Sequence, residues 1–410
     1  MAEYLHGIET VEITSGTNFI SEVRTAVIGI IGTAPQGPVN TPTIIQNAKD
    51  ARQFGSFSEY GVDSGYTLPY ALSAIQDYGS GTIFVINVFN PEKLKPKANE
   101  NDADEYYTVS DITAADIIGD TNSSGVRTGL QAFLDVFNMY GFNPKILLAP
   151  GFSETATVRS AMLTVADKIR AVVLADLPAG MTVNEAILAR GANGSLNVSN
   201  DRLYLLYPHV YHYDPAADAD KLIPYSVTMA GLMAKTDRDF GYWFSPSNKE
   251  LMGVTGVERK ITCSYTDPDC EIQLLNSKGI ASVMNAYGTG LRSYGNRSSA
   301  YNESGGLESF ITSRRISDMI AESLERAMID YVDRPLTAAI VDDILYEGNA
   351  FIRTLTSRGA IIGGACYLSE DNTIDQISQG RLSVIYEYTP PAALERITNK
   401  LVLTSSYYQI

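Results

Sequence analysis

The chain has 410 residues, of which 45% are hydrophobic and 19% charged, and a formal net charge of −16. This composition supports a sizeable core and two or three domains, and it excludes a disordered or fibrous chain. The acidic balance argues against a phosphate-binding surface and favours a basic protein partner, and no apolar run approaches the roughly 20 residues that span a bilayer.

Three histidines and three cysteines, Cys263, Cys270 and Cys366, are too few and too scattered for a metal centre or a disulfide framework. The opening residues Met1 to Gly7 have neither a basic segment nor an apolar one, so no signal peptide and folding in a cytoplasm are expected.

In chain order, Gly7-Ile8-Glu9-Thr10-Val11-Glu12-Ile13 alternates in part and predicts a short strand ahead of any core. It is either an edge strand of the first domain or a free arm. Ala26 to Ala34 is a continuous apolar run bounded by turn residues, the pattern of a strand buried on both faces. A short strand at Thr43–Gln46 leads to a helix over Ala48–Phe54. A second helix, Gly65–Tyr78, puts Leu68, Ala71, Leu72 and Ile75 on one face, and Thr82–Phe89 is again a buried strand. Residues 91–125 turn polar and predict a surface excursion.

A regular alternation follows. Helices over Leu130–Tyr140, Glu154–Ile169 and Val183–Arg190 precede strands at Ile146–Ala149, Ala171–Asp176 and Leu203–Pro208, and Ser226–Lys235 is helical. Apolar strands alternating with amphipathic helices predict a mostly parallel sheet flanked by helices.

In such folds ligands bind beyond the carboxyl ends of the strands. The loops there offer Ser153, Asp176, His209 and His212. Ser153 lacks the Gly-x-Ser-x-Gly elbow of an exposed nucleophile, His209 and His212 have no further metal ligands in sequence, and Gly288-Thr289-Gly290 is neither a dinucleotide fingerprint nor a P-loop. No catalytic residue, metal or cofactor is expected. The 25 tyrosines suit surfaces that meet other proteins.

The last 120 residues predict a separate α+β unit. Two amphipathic helices, Leu307–Tyr331 and Thr337–Arg358, flank Asp333-Arg334-Pro335, and the second stops at Gly359. Strands at Ile361–Leu368 and Arg381–Tyr388 follow, with a short helix between them. After Pro390-Pro391 the chain continues through Ile397 into Leu401-Val402-Leu403 and Tyr407-Tyr408. That tail is strand-prone without an evident partner, so it either folds back on its own sheet or completes a sheet in a neighbouring copy.

Several landmarks together, in this order and spacing, resemble the tail sheath proteins of contractile-tailed bacteriophages, in particular the P2-like group and the R-type bacteriocins. They are Tyr4 to Ile13 before the buried Thr25 to Ala34, then Tyr294-Gly295-Asn296-Arg297, Val332-Asp333-Arg334-Pro335 and Gly380 to Pro390. The resemblance implies a non-enzymatic subunit that stacks as six-membered rings around an inner tube and contracts to drive it through a bacterial envelope. It implies an N-terminal arm at Gly7–Ile13 and a C-terminal arm at Ile397–Tyr408, each adding a strand to a neighbour's C-terminal domain. An arm of about 12 residues reaches roughly 40 Å when extended.

The implied partners are copies of itself, the inner tail tube protein, and baseplate and tail terminator proteins, without nucleic acid or membrane insertion. The implied place is the virion tail, assembled in the host cytoplasm. The expected division is an arm (1–25), a first part of the core (26–90), an outward-facing middle domain (91–289), a C-terminal core domain (290–391) and a second arm (392–410). Asp342, Asp343 and Glu347 lie at helical spacings that share a face, either a surface for a basic tube or an ordinary solvated face. The alternatives are the sheath of an extracellular contractile injection system and, in a different class, a cytoplasmic α/β enzyme.

Overall fold

The computed structural model describes residues 20–79, 81–95, 104–285, 288, 290–301 and 305–408. The strand expected at Gly7–Ile13 lies outside the described residues. The chain divides into two compact units: Arg24–Asp318 together with Pro390–Ile410, and Met319–Thr389 together with the stretch ending at Val23. Residues 26–90 and 91–289 therefore share one unit, and both contribute strands to its main sheet.

The first unit holds β1 (Ile28–Gly32), β2 (Thr43–Ile45), β3 (Ile83–Asn87), β4 (Ile146–Leu148), β5 (Val172–Asp176) and β6 (Leu203–Leu206). Next come β7 (Val210–Asp214), β8 (Ala219–Ile223), β9 (Val254–Val257), β10 (Ile280–Asn285) and β11 (Leu291–Tyr294). Its longer helices are α1 (Leu68–Gln76), α2 (Ala156–Ile169), α3 (Val183–Ala189), α4 (Tyr225–Asp239) and α5 (Glu271–Ser277). Helix α6 (Ile311–Met328) leads into the second unit, which contains α7 (Ala338–Arg358), β12 (Gly363–Leu368) and β13 (Val384–Thr389).

The main sheet has the order β11-β10-β6-β5-β4-β1-β3-β2. Its interior pairings are parallel, and β2 and β11 close the two edges antiparallel. Residues of β1 and β3 are buried throughout because helices cover both faces. The two-residue period sorts them: Ile28, Ile30, Ile83 and Val85 pack in the layer that includes α1 and α4, while Ile31, Phe84 and Ile86 join the layer that includes α2 and α3. Gly29 in β1 is held to a glycine by packing, since a Cβ there would lie 2.7 Å from Leu147 and 2.9 Å from Pro144.

The structure adjusts several expected elements. Residues Gly129–Asp135, expected to open an α-helix, form a 3-10 helix, and only Val136–Tyr140 is α-helical. The helix expected at Ser226–Lys235 extends to Tyr225–Asp239. A three-stranded antiparallel sheet, β8-β7-β9, follows the cis Tyr207–Pro208 peptide bond where only a Tyr-rich loop was expected. Thr182 and Glu185 form the capping box that starts α3, and Thr337 caps α7 by accepting from Ile340 N at 3.4 Å. Gly359, at φ +80, ends α7 in the left-handed region that a glycine enters without strain.

Candidate functional site: a bare tail and a two-stranded hairpin

At the carboxyl ends of the parallel strands the structure does bring Ser153, Asp176 and His209 into one neighbourhood. The wiring is structural. Ser153 is fully buried; its Oγ donates to Asp176 Oδ2 at 3.2 Å and accepts from Asp176 N at 3.1 Å. Asp176 Oδ1 accepts from Ser226 N at 2.7 Å, placing a carboxylate at the first turn of α4. His209 pairs instead with Glu154, at 3.2 Å. The serine hydroxyl is thus committed to the aspartate, and the imidazole to Glu154.

Burial raises the Asp176 carboxyl above its usual range, partly offset by the nearby His209 and the Ser226 bonds. For His209 burial opposes the charged form, but the hydrogen bond it donates to Glu154 and the fields of Asp176, Glu154 and Glu258 outweigh it, and its affinity for a proton rises. His212 behaves alike: burial opposes the charge, while Asp77, 2.9 Å from Nε2, and the Tyr213 carbonyl raise it. Cys263, Cys270 and Cys366 are free thiols. Among the described residues no group of three or more His, Cys, Asp or Glu side chains is arranged to hold a metal ion.

On α7, Asp342 and Asp343 are exposed, whereas Glu347 is half-buried. Burial and then a hydrogen bond to Glu347 push the Tyr331 hydroxyl up to about 12, with the Glu347 and Asp343 charges adding to the effect. Glu347 lies beside Tyr331, and Asp342 and Asp343 are the more open acidic groups of this helix.

The hairpin of the second unit is a two-stranded antiparallel sheet, with Gly363 opposite Thr389 and Leu368 opposite Val384. Cys366 is buried, and Val384, Tyr386 and Tyr388 are half-buried. Ile385, Glu387 and Thr389 on the other face are exposed. Among the described residues no third strand joins either edge.

The tail beyond Pro390-Pro391 is anchored in the first unit by Glu395 and is exposed beyond it. Arg297 Nε donates to Glu395 Oε1 at 2.8 Å and Nη2 to Oε2 at 2.6 Å, while the guanidinium stacks 3.5 Å over Phe310 and 4.7 Å over Tyr301. Beyond this fork Ile397 is 70% exposed, Leu401 97%, Val402 82%, and Leu403, Tyr407 and Tyr408 are equally open. Residues 390–404 form neither helix nor strand, and the strand-prone Leu401-Val402-Leu403 joins no sheet among the described residues. Sequence reasoning noted Arg297 only as a landmark; its partner lies 98 residues away, and no local pattern announces such a pair.

The chain compares closely with known proteins. The family description "Phage tail sheath protein central domain" matches residues 113–299, and "Phage tail sheath C-terminal domain" matches residues 307–404. The tail sheath protein of Burkholderia phage BcepMu is 36% identical, covering 99% of this chain and 98% of that protein. The tail sheath protein of Escherichia phage P2 is 29% identical over 99% and 97%. Among solved structures, the sheath complex of the extracellular contractile injection system PVC in its contracted state has a TM-score of 0.66 at 16% identity, covering 99% of each chain. The contracted helical sheath of the anti-feeding prophage has a TM-score of 0.64 at 21% identity over 98% and 99%.

Proposed function

The chain belongs to the phage tail sheath protein family, and on that footing we propose that it polymerises as stacked hexameric rings into a helical sleeve around an inner tail tube. The sleeve assembles extended and contracts when the baseplate is triggered, driving the tube through a bacterial envelope. Its partners are further copies of the chain, the tube protein, and baseplate and terminator proteins, and its place is the virion tail. In this scheme residues 26–90 and 290–391 form the conserved core, 91–289 face outward, and Gly7–Ile13 and Ile397–Tyr408 are arms that add strands to neighbours. Asp342, Asp343 and Glu347 supply a weak, releasable acidic face toward a basic tube.

The observation that carries the proposal is the tail, where Leu401, Val402 and Leu403 stay exposed and join no strand among the described residues. Leaving several large apolar side chains in water costs about 1.5–3 kcal/mol each relative to burial, so the arrangement favours burial in another copy. Main-chain pairing suits a lattice that changes pitch, because an arm stays hydrogen-bonded while the bodies it links slide. Two packings of one chain that differ by a few kcal/mol, summed over many copies, provide the drive without a nucleotide.

Negative-stain microscopy of the purified chain tests this. Striated tubes are expected, and deleting Leu401–Ile410 should leave a folded protein that no longer forms them. Compact particles under every assembly condition would count against a sheath. The phage tail is favoured over an extracellular injection system by the tail sheath relatives at 29–36% identity, and neighbouring capsid and packaging genes would separate the two.

A further inference from the structure

Cys263 and Cys270 stand at the neck of a short closed loop in the first unit. Ile272 N donates to Thr262 O at 3.2 Å, and Glu271 N donates to Thr262 Oγ1 at 3.2 Å. In return Thr262 N donates to Glu271 Oε2 at 2.8 Å. The chain leaves the neck at Thr262 and returns to it at Glu271, and the two cysteines are the first and last residues between them. Folding has already brought the ends of this loop together, so a bond between the cysteines adds little further loss of chain entropy in the folded state.

The Cys270 thiol lies against the main chain just after Cys263. Ser264 N donates to Cys270 Sγ at 3.4 Å, and Sγ donates in turn to Ser264 O at 3.5 Å. Because the peptide joining Cys263 to Ser264 is planar, an atom hydrogen-bonded to Ser264 N sits about 4 Å from Cys263 Cα, a separation compatible with disulfide geometry. Cys263 Sγ lies 3.9 Å from Met284 Sδ, a weak contact that holds the side chain loosely. Cys270 is buried and Cys263 half-buried; burial raises the Cys263 thiol above its ordinary range, and the neighbouring Cys270 adds to the effect. Loss of the Cys270 S–H would not strand the Ser264 carbonyl, because Gln273 Nε2 also donates to it, at 3.4 Å.

We propose that Cys263 and Cys270 are a redox-responsive pair, two thiols under reducing conditions and an intramolecular disulfide once a low-molecular-weight disulfide is supplied as oxidant. The half-buried Cys263 thiolate attacks the external disulfide, forms a mixed disulfide and releases one external thiol. Cys270 then gives up its proton and attacks the Cys263 sulfur, and the second external thiol leaves. The two protein thiols lose two electrons and two protons, and one external disulfide becomes two thiols. The product staples the loop to the start of α5, where Cys270 is the N-cap residue.

Peptide mapping of the full folded chain tests this, because trypsin releases residues 261–278, with both cysteines, as one peptide. After incubation with oxidised glutathione and blocking of free thiols, that peptide should be lighter by two hydrogens and carry no glutathione. It should take up about tenfold less alkylating agent than before oxidation, and dithiothreitol should restore both thiols. Closure should speed up as the pH rises, since the thiolate is the attacking species. Cys366, buried in the second unit, should stay a thiol throughout. Cys270→Ser, which removes the resolving thiol, should accumulate the mixed disulfide at Cys263. Glutathione retained on Cys263 of the parent chain would overturn the proposal, as would a disulfide to Cys366 or to a second copy. Thiols that stay reduced in the folded chain, at glutathione ratios that oxidise the urea-unfolded chain, would overturn it as well.

Discussion

Arg315 of α6 and Asp237 of α4 form a buried, two-pronged ion pair. Nη1 donates to Oδ1 at 2.7 Å and Nη2 donates to Oδ2, with 6% and 9% of the two residues exposed. The pair fastens the first turns of α6 to the end of a helix that packs on the main sheet. Arg315→Ala would strand the Asp237 carboxylate in the interior, at an expected cost of about 3–5 kcal/mol. Replacing both by apolar residues of similar volume should cost far less. Denaturant melts of the three proteins check this.

The Arg297–Glu395 fork predicts a protease signature. Glu395→Ala should leave the melting temperature nearly unchanged and speed tryptic cleavage after Arg396 about fivefold. Cleavage after Lys400, beyond the anchor, should be unaffected. Equal rates after Arg396 in parent and variant would mean that the fork does not hold the tail.

Gly348 on α7 has no room for a side chain. A Cβ there would lie 2.7 Å from Cys366 Sγ and 2.9 Å from Tyr386 Cε1, both on the inner face of the hairpin. Gly348→Ala should destabilise the second unit by about 1–3 kcal/mol through overpacking, despite the better helix propensity of alanine. Limited proteolysis confined to residues 319–389 would report it.

The histidines set a pH dependence. In the folded chain His209 and His212 hold their protons above the ordinary value of 6.5. Their contribution is complete below that value and is lost as pH rises through the folded values. Stability should therefore fall on going from pH 6 into the alkaline range, by at most about 1.4 kcal/mol per pH unit for each imidazole. His212→Gln should flatten the decline in thermal melts. A melting temperature that rises over this range would contradict the assignment.

The tail predicts a separation of stability from assembly. Leu401→Asp with Leu403→Asp changes two side chains that are almost wholly exposed, so the melting temperature of the isolated chain should move little. Assembly into tubes, measured by sedimentation, should be lost. A variant that still sediments as tubes would show that these side chains are not buried in a neighbour.

The amino-acid sequence by itself determined the parallel core, because a strand buried on both faces must be apolar without interruption, as at Ile28–Ile31 and Val172–Ala175. It also determined the limits of α7, through the Thr337 cap and the Gly359 stop, since these signals act within one turn of chain. The tail was legible as strand-prone from its residues alone, with its partner left open between its own sheet and a neighbour's. The sheet β8-β7-β9 was not, because its strands are short and half-exposed, and such strands carry little periodic signal against a loop.

Only the tertiary structure decided how the strand-end polar groups are spent, how the tail is rooted and how the hairpin is tied to its helix. Ser153 and Asp176, Arg297 and Glu395, and Asn349 and Cys366 are pairs separated by 23, 98 and 17 residues. Each is a directional hydrogen bond between groups that meet only after the elements have packed, and no local propensity encodes that meeting.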